Sequence, residues 1–219
     1  MGLELHHTPV MIPEIIQALK AQPGGRYIDG TLGEGGHSKS ILNAIEPGGQ
    51  VLGLDADAEA ITVATERLMD HGDAFLAINT NFRDMRATAL RYEFLPVHGV
   101  LFDLGVSSLQ LDRESRGFSF RRSDPLDMRF SFEQQLTAAD IVNEYAESEL
   151  ADLIFHLGED RAARRIARAI VHNRPVNTSL ELAELIEKVS PRRGKRVHPA
   201  TRTFQAIRIA VNDELSALE

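Results

Sequence analysis

The sequence predicts an α/β fold, a mostly parallel sheet flanked by helices, on three observations. Short β-rich runs alternate with helical patterns through the first half of the 219 residues. A glycine-rich bend, Gly30 to Gly36, follows the first of those runs. An aspartate, Asp55, closes the second run 22 positions after Gly33.

Each element follows from its local pattern. Ile12, Ile15, Ile16 and Leu19 recur at helical spacing, with Pro13 suited to a first turn. Arg26-Tyr27-Ile28-Asp29 reads as a strand running into the bend, and a helix is expected from His37 to Ile45. Pro47-Gly48-Gly49 breaks that helix, and Val51-Leu52-Gly53-Leu54 forms a second strand ending at Asp55. A helix over 57–70, a strand over 74–78 and a helix over 82–91 follow. A fourth strand, Gly99-Val100-Leu101-Phe102, ends at Asp103. Residues 105–136 are irregular and rich in Ser, Arg and Asp, whereas 137–218 carries helical patterning and no strand signal. The reading is therefore two domains: 1–104, a nucleotide-binding type of half, and 105–219, mostly helical and partly basic.

Composition narrows the chemistry. The 43% hydrophobic and 26% charged content is that of an ordinary globular protein. With no cysteine, disulfides, thiolate metal sites and cysteine nucleophiles are excluded. No apolar run reaches the ~20 residues of a membrane span, and the N-terminus lacks a signal-peptide order. A cytoplasmic protein with no membrane partner is expected. The net charge of −8 is unevenly spread: residues 161–208 hold 12 Lys/Arg against 3 Asp/Glu, a balance of +9, while residues 1–160 balance at −14. A local positive charge of that size, attached to an acidic domain, suits a polyanion.

The stretch Asp29-Gly30-Thr31-Leu32-Gly33-Glu34-Gly35-Gly36-His37 is the most informative. Glycines at a strand-to-helix turn admit positive φ and let a ligand approach the backbone. In open α/β sheets ligands bind at the carboxyl ends of the strands, and an acid about 20 residues on receives ribose hydroxyls. A dinucleotide fingerprint counted from Gly33 needs glycine where Ser38 stands. Asp29 would also repel a pyrophosphate. S-adenosylmethionine, with a sulfonium, an ammonium and no phosphate, is favoured by an acidic rim.

The residues then become recognisable. His7-Thr8-Pro9-Val10, Tyr27 to Gly33 with Gly35-Gly36-His37-Ser38, Leu101 to Asp112, Arg116 to Phe120 with Pro125 to Arg129, and His198 to Arg208 run in order along the chain. Together they resemble the bacterial 16S rRNA cytosine N4-methyltransferase family, RsmH or MraW. The resemblance implies a class I S-adenosylmethionine-dependent methyltransferase fold, a Rossmann-like sheet with a helical substrate-recognition insertion. It implies methylation of the exocyclic N4 of a cytidine in the decoding region of 16S rRNA, with the small ribosomal subunit as partner. It also implies cofactor contacts at Gly35, Gly36 and His37, at Asp55 by the ribose, at Phe82 near the adenine, and at Asp103 and Gln110. Phe82 and Gln110 rest on the resemblance alone.

The amine of cytosine is a poor nucleophile because its lone pair is delocalised into the ring. Many amino-methyltransferases meet it with an Asp or Asn followed by Pro-Pro-aromatic at the end of the fourth strand. Here the aspartate is present, but Asp103-Leu104-Gly105-Val106 lacks the rest. Asp103 can face the cofactor, the amine or both, and no general base stands out. Arg161, Arg164, Arg165 and Arg168 share one helix face, and Arg192, Arg193, Lys195 and Arg196 cluster nearby in sequence. Both suit RNA phosphates or, in the plainer reading, a solvated surface. Phe118, Phe120, Phe130 and Phe132 suit base stacking or a core. The eight histidines lack metal-ligand spacing, so no metal is expected.

Four predicted strands fall short of the seven in a complete fold of this class. The sheet is therefore expected to be incomplete, with the fourth strand as an edge. The alternative to an active enzyme is a catalytically incompetent fragment that keeps cofactor or RNA binding.

Overall fold

The computed structural model describes residues 9–191 and 197–218. They form two compact units, divided between Leu109 and Gln110, with the described residues from Ala217 on returning to the first.

In the first unit the elements come in the order α1 (Ile12–Leu19), β1 (Arg26–Asp29), α2 (Gly36–Ile45), β2 (Gln50–Asp55), α3 (Ala58–Leu68), β3 (Phe75–Asn79), α4 (Met85–Arg91) and β4 (Gly99–Leu101). All pairings are parallel and the sheet order is β3-β2-β1-β4. The chain thus steps outward from β1 to β3 and then crosses back to the other side of β1. That reversal makes the tips of β1 and β4 a topological switch point, where such sheets bind ligands.

Alternation along the strands decides the two faces. Tyr27 and Val51 point to one side, where they pack with Ile41, Leu42 and Ile45 of α2 and Leu68 of α3. Ile28, Leu52 and Leu54 point to the other, against Ala89 of α4 and Phe94. Both faces of the sheet are covered, which is why its central strands read as near-continuous apolar runs.

Several boundaries shift by a few residues from the sequence reading. The helix expected over 82–91 begins at Met85, and a short helix, Ser108–Asp112, stands in the stretch expected to be irregular. Two of the shifts have a visible cause. The helix expected to reach residue 70 ends at Leu68 in a tight turn, Met69–Ala74, with Gly72 at φ 51. The fourth strand stops at Leu101 rather than Phe102. The last bond of its ladder runs from the N–H of Gly30 to the carbonyl of Leu101 at 2.9 Å, and beyond it β1 has already turned into the bend. With no partner left on that side, the pairing ends.

The second unit is helical: α5 (Ser108–Asp112) leads in, followed by α6 (Ala138–Glu144), α7 (Glu147–Gly158), α8 (Ala163–His172), α9 (Ser179–Val189) and α10 (Thr201–Asn212). Reciprocal capping boxes start α6 at Thr137 and Asp140 and α9 at Thr178 and Glu181. Leu150, Ile154, Ile166, Ile170, Leu182, Ile186 and Ile207 are fully buried and form the inward faces of α7 to α10. Gly158 brings α7 close to α10, since a Cβ there would lie 2.5 Å from the carbonyl oxygen of Arg202. The irregular segment is pinned by Asn212. Its Oδ1 accepts the N–H of Phe130 at 2.7 Å, and its Nδ2 donates to the carbonyls of Met128 at 2.8 Å and Arg208 at 2.9 Å.

Candidate functional site

The site is built from strand tips. Asp29 ends β1 fully buried, and its carboxylate accepts the N–H of Thr31 at 3.2 Å and the hydroxyl of Ser38 at 2.8 Å. Burial pushes its carboxyl above the ordinary range, opposed by those two hydrogen bonds. The bend between them needs left-handed backbone twice, at Gly33 (φ 51) and Gly35 (φ 80). At Gly35 a side chain would also be crowded, because a Cβ would sit 3.0 Å from Leu68 Cδ1. The bend closes with the N–H of Gly35 donating to the carbonyl of Leu32 at 2.9 Å. Glu34, between these glycines, forms an ion pair with Arg67 that ties the bend to α3.

Asp55, at the tip of β2, lies across from the bend. One oxygen accepts the N–H of Gly33 at 2.8 Å and the other the N–H of Asp57 at 2.9 Å. Desolvation pushes its carboxyl up to about 6, with the charges of Asp57 and Asp29 adding to the rise and the two N–H donors opposing it. A carboxylate has about four lone-pair positions, so two are left for a ligand's hydroxyls. Asn79, at the tip of β3, donates to the backbone carbonyl of Asp55 at 2.8 Å and steadies that tip.

Asp103, just beyond β4, is half exposed. Its N–H donates to the hydroxyl oxygen of Thr31 at 2.7 Å, and its carboxylate lies 3.9 Å from Nδ1 of His37. His37 is buried in the first turn of α2, with Nε2 3.0 Å from the carbonyl of Val10. A carbonyl only accepts, so Nε2 carries a proton and donates. Phe82, following β3, meets Phe102 edge-on with ring centroids 5.3 Å apart. β3 and β4 are opposite edges of the sheet, so these two rings meet across the tips of the central strands. Gly30 makes this possible: a Cβ there would be 2.3 Å from the Phe102 ring.

The first unit therefore gathers Gly35, Gly36, His37, Asp55, Phe82 and Asp103 at one end of the sheet. Gly36 is used differently from Gly35: the space of its missing Cβ is taken by Pro9, 2.4 Å away. Gln110 falls in α5, buried in the second unit. Thr31, Ser38, Asn79 and Phe102 went unassigned in the sequence reading. Their signal was position: Thr31 lies in the bend, Ser38 in the first turn of the helix that follows it, and Asn79 and Phe102 at or one residue past a strand end.

Three aspartates at neighbouring strand tips, with open acceptor capacity on Asp55, make a site suited to a ligand bearing hydroxyls and positive charge. Among the described residues no group of three His, Asp or Glu side chains is placed to hold a metal ion.

In the second unit, Arg161, Arg164 and Arg165 are exposed, and Arg168 reaches Glu147 at 3.3 Å. Arg192, Arg193, Lys195 and Arg196 lie outside the described residues. Phe118 is buried and stacked on Phe130, and Phe120 stacks on His198, so these serve packing. Phe132 alone of the four is widely exposed, beside the guanidinium groups of Arg116 and Arg129. No helix of the described residues is long and apolar enough to cross a membrane.

Residues 4–219 match the model of the MraW methylase family. A curated relative from Dehalococcoides mccartyi, named ribosomal RNA small subunit methyltransferase H, is 58% identical over 217 residues, covering 99% of this chain and 62% of the relative. Proteins of the same name from a Cyanothece species (49% identical, 99% of this chain, 71% of the relative) and from Carboxydothermus hydrogenoformans (48% identical, 99% and 70%) also match. The chain spans about 62% of the length of the first of these relatives.

Proposed function

The chain belongs to the MraW methylase family, and from that premise we propose that it carries the cofactor-binding and RNA-facing parts of an S-adenosylmethionine-dependent rRNA methyltransferase. The target is the exocyclic N4 of a cytidine in the decoding region of 16S rRNA, presented by the small ribosomal subunit. The observation that carries the reading is Asp55, held by the Gly33 N–H at 2.8 Å with acceptor positions to spare, opposite a glycine bend and beside two further aspartates.

The residues present fit that cofactor. Asp55 is placed to receive ribose hydroxyls, Phe82 to wall the adenine, and the bend at Gly33, Gly35, Gly36 and His37 to receive the amino-acid moiety. Asp29 and Asp103 offset positive charge. When bound, the cofactor supplies a methyl group activated by its sulfonium. The protein's own work is positioning: it holds acceptors at fixed strand tips, so that nucleophile and methyl donor meet in line at little entropic cost. Asp103, half exposed at the switch point, is placed to accept hydrogen bonds from an amine. The exposed arginines of α8 supply charge for RNA phosphates.

The test is transfer of labelled methyl groups to small ribosomal subunits that lack this modification. Label in 16S rRNA that disappears in Asp55→Ala is the expected result. Intact cofactor binding with no transfer would remove the methylation reading and leave the cofactor site standing.

A further inference from the structure

Asp103 has an unusual position for a residue expected to work. It lies two residues past the end of β4, half exposed, where the sheet ladder has already stopped. Its carboxylate is 3.9 Å from His37 Nδ1, too far for a hydrogen bond. Among the described residues, the single hydrogen bond it makes is from its own N–H to the hydroxyl oxygen of Thr31, at 2.7 Å. Thr31 in turn is held at its own N–H by Asp29, 3.2 Å away, and Asp29 is held by Ser38, 2.8 Å away in the first turn of α2. A chain of hydrogen bonds thus runs from α2 through the tip of β1 to the tip of β4.

We propose that Thr31 is a positioning residue whose hydroxyl oxygen, by accepting the Asp103 N–H, holds Asp103 at the cofactor site. Its β-branched side chain has few rotamers, so the acceptor is presented at little entropic cost. Valine has the same shape and lacks the acceptor, while serine keeps the acceptor and loses the methyl. The two substitutions separate hydrogen bonding from packing.

This inference rests on the cofactor reading above, so its test is a double-mutant cycle on binding rather than on turnover. Affinity for S-adenosylhomocysteine is measured by calorimetry for the wild type, Thr31→Val, Thr31→Ser, Asp103→Ala and Thr31→Val with Asp103→Ala, with a thermal melt of each. Thr31→Val weakens binding roughly three- to tenfold, the range of one neutral hydrogen bond. Thr31→Ser returns to within about twofold of wild type. In the Asp103→Ala background the valine substitution adds no further loss of affinity, because the residue it acts through is gone. Losses that add in the double variant, or an unchanged Thr31→Val, overturn the role of Thr31 and leave the cofactor site intact. A wild type that does not bind S-adenosylhomocysteine overturns the cofactor reading, and this inference with it. If the valine variant does not fold, Thr31→Ala takes its place in the same cycle.

Discussion

The carboxylate of Asp55 accepts the backbone N–H of Gly33 at 2.8 Å, joining the tip of β2 to the bend that follows β1. One side chain therefore has two tasks. It ties down the glycine bend through that bond and, in the proposed cofactor site, offers its remaining lone pairs to ribose hydroxyls. Burial holds its carboxyl at about 6, so the second task depends on pH close to neutrality.

Affinity for S-adenosylhomocysteine is expected to rise between pH 5 and pH 7 and to level off above. The folded carboxyl is raised from 3.8 to about 6, so between those two values the folded protein keeps a proton that the unfolded chain has released. Ionisation then costs stability as pH rises, while a ligand needing two carboxylate acceptors gains. The change amounts to about tenfold in affinity, one factor of ten for each pH unit below the carboxyl's own value. Calorimetry across this range checks it, and Asp55→Asn should bind weakly with a flat profile.

Gly30→Ala should destabilise the first unit by about 1–3 kcal/mol through overpacking. The added carbon would lie 2.3 Å from the Phe102 ring, which has to move. Phe102→Ala in the same chain should recover most of that loss relative to its own single variant. Urea unfolding of the four proteins decides the matter, and simple additivity would mean the strain lies elsewhere.

Asn212→Ala should cost about 2–4 kcal/mol, since it leaves the Phe130 N–H and the Met128 carbonyl without a partner where Asn212 is buried. Loss of the second unit's cooperative unfolding at lower urea is the expected signal. A change under about 0.5 kcal/mol would show the segment to be held by other contacts.

Replacing Arg164 and Arg165 with glutamate should weaken binding to 16S rRNA and flatten its dependence on salt. Both side chains are exposed on α8. Each phosphate contact contributes roughly 0.7–0.9 to the slope of log affinity against log salt, so the slope should fall by about 1.5. An unchanged slope would make that face a solvated surface and nothing more.

Much of this was legible in the residues. Strand runs and their breakers located β1 to β3 to within a residue or two, because alternation and Pro-Gly punctuation are local signals. The spacing from Gly33 to Asp55 pointed to the pair that the structure joins. The ends of elements were harder. Phe102 looked like a strand residue, yet a strand needs a partner, and β1 had already turned at Gly30. Nor could spacing reveal that Phe82 and Phe102 would touch across the sheet, or that Gly36 makes room for Pro9. Those are facts of packing between distant parts of the chain. The phenylalanines of the irregular segment make the same point: four looked equivalent, and burial separates Phe132 from the rest.

Titration of S-adenosylhomocysteine into this chain and into its Asp55→Ala variant, at pH 7.5, tests the account most directly. Saturable binding by the wild type, with at least a tenfold loss in a variant that still folds, is the outcome that the strand-tip site requires. Equal affinity in the two proteins, or none in the wild type, would contradict it.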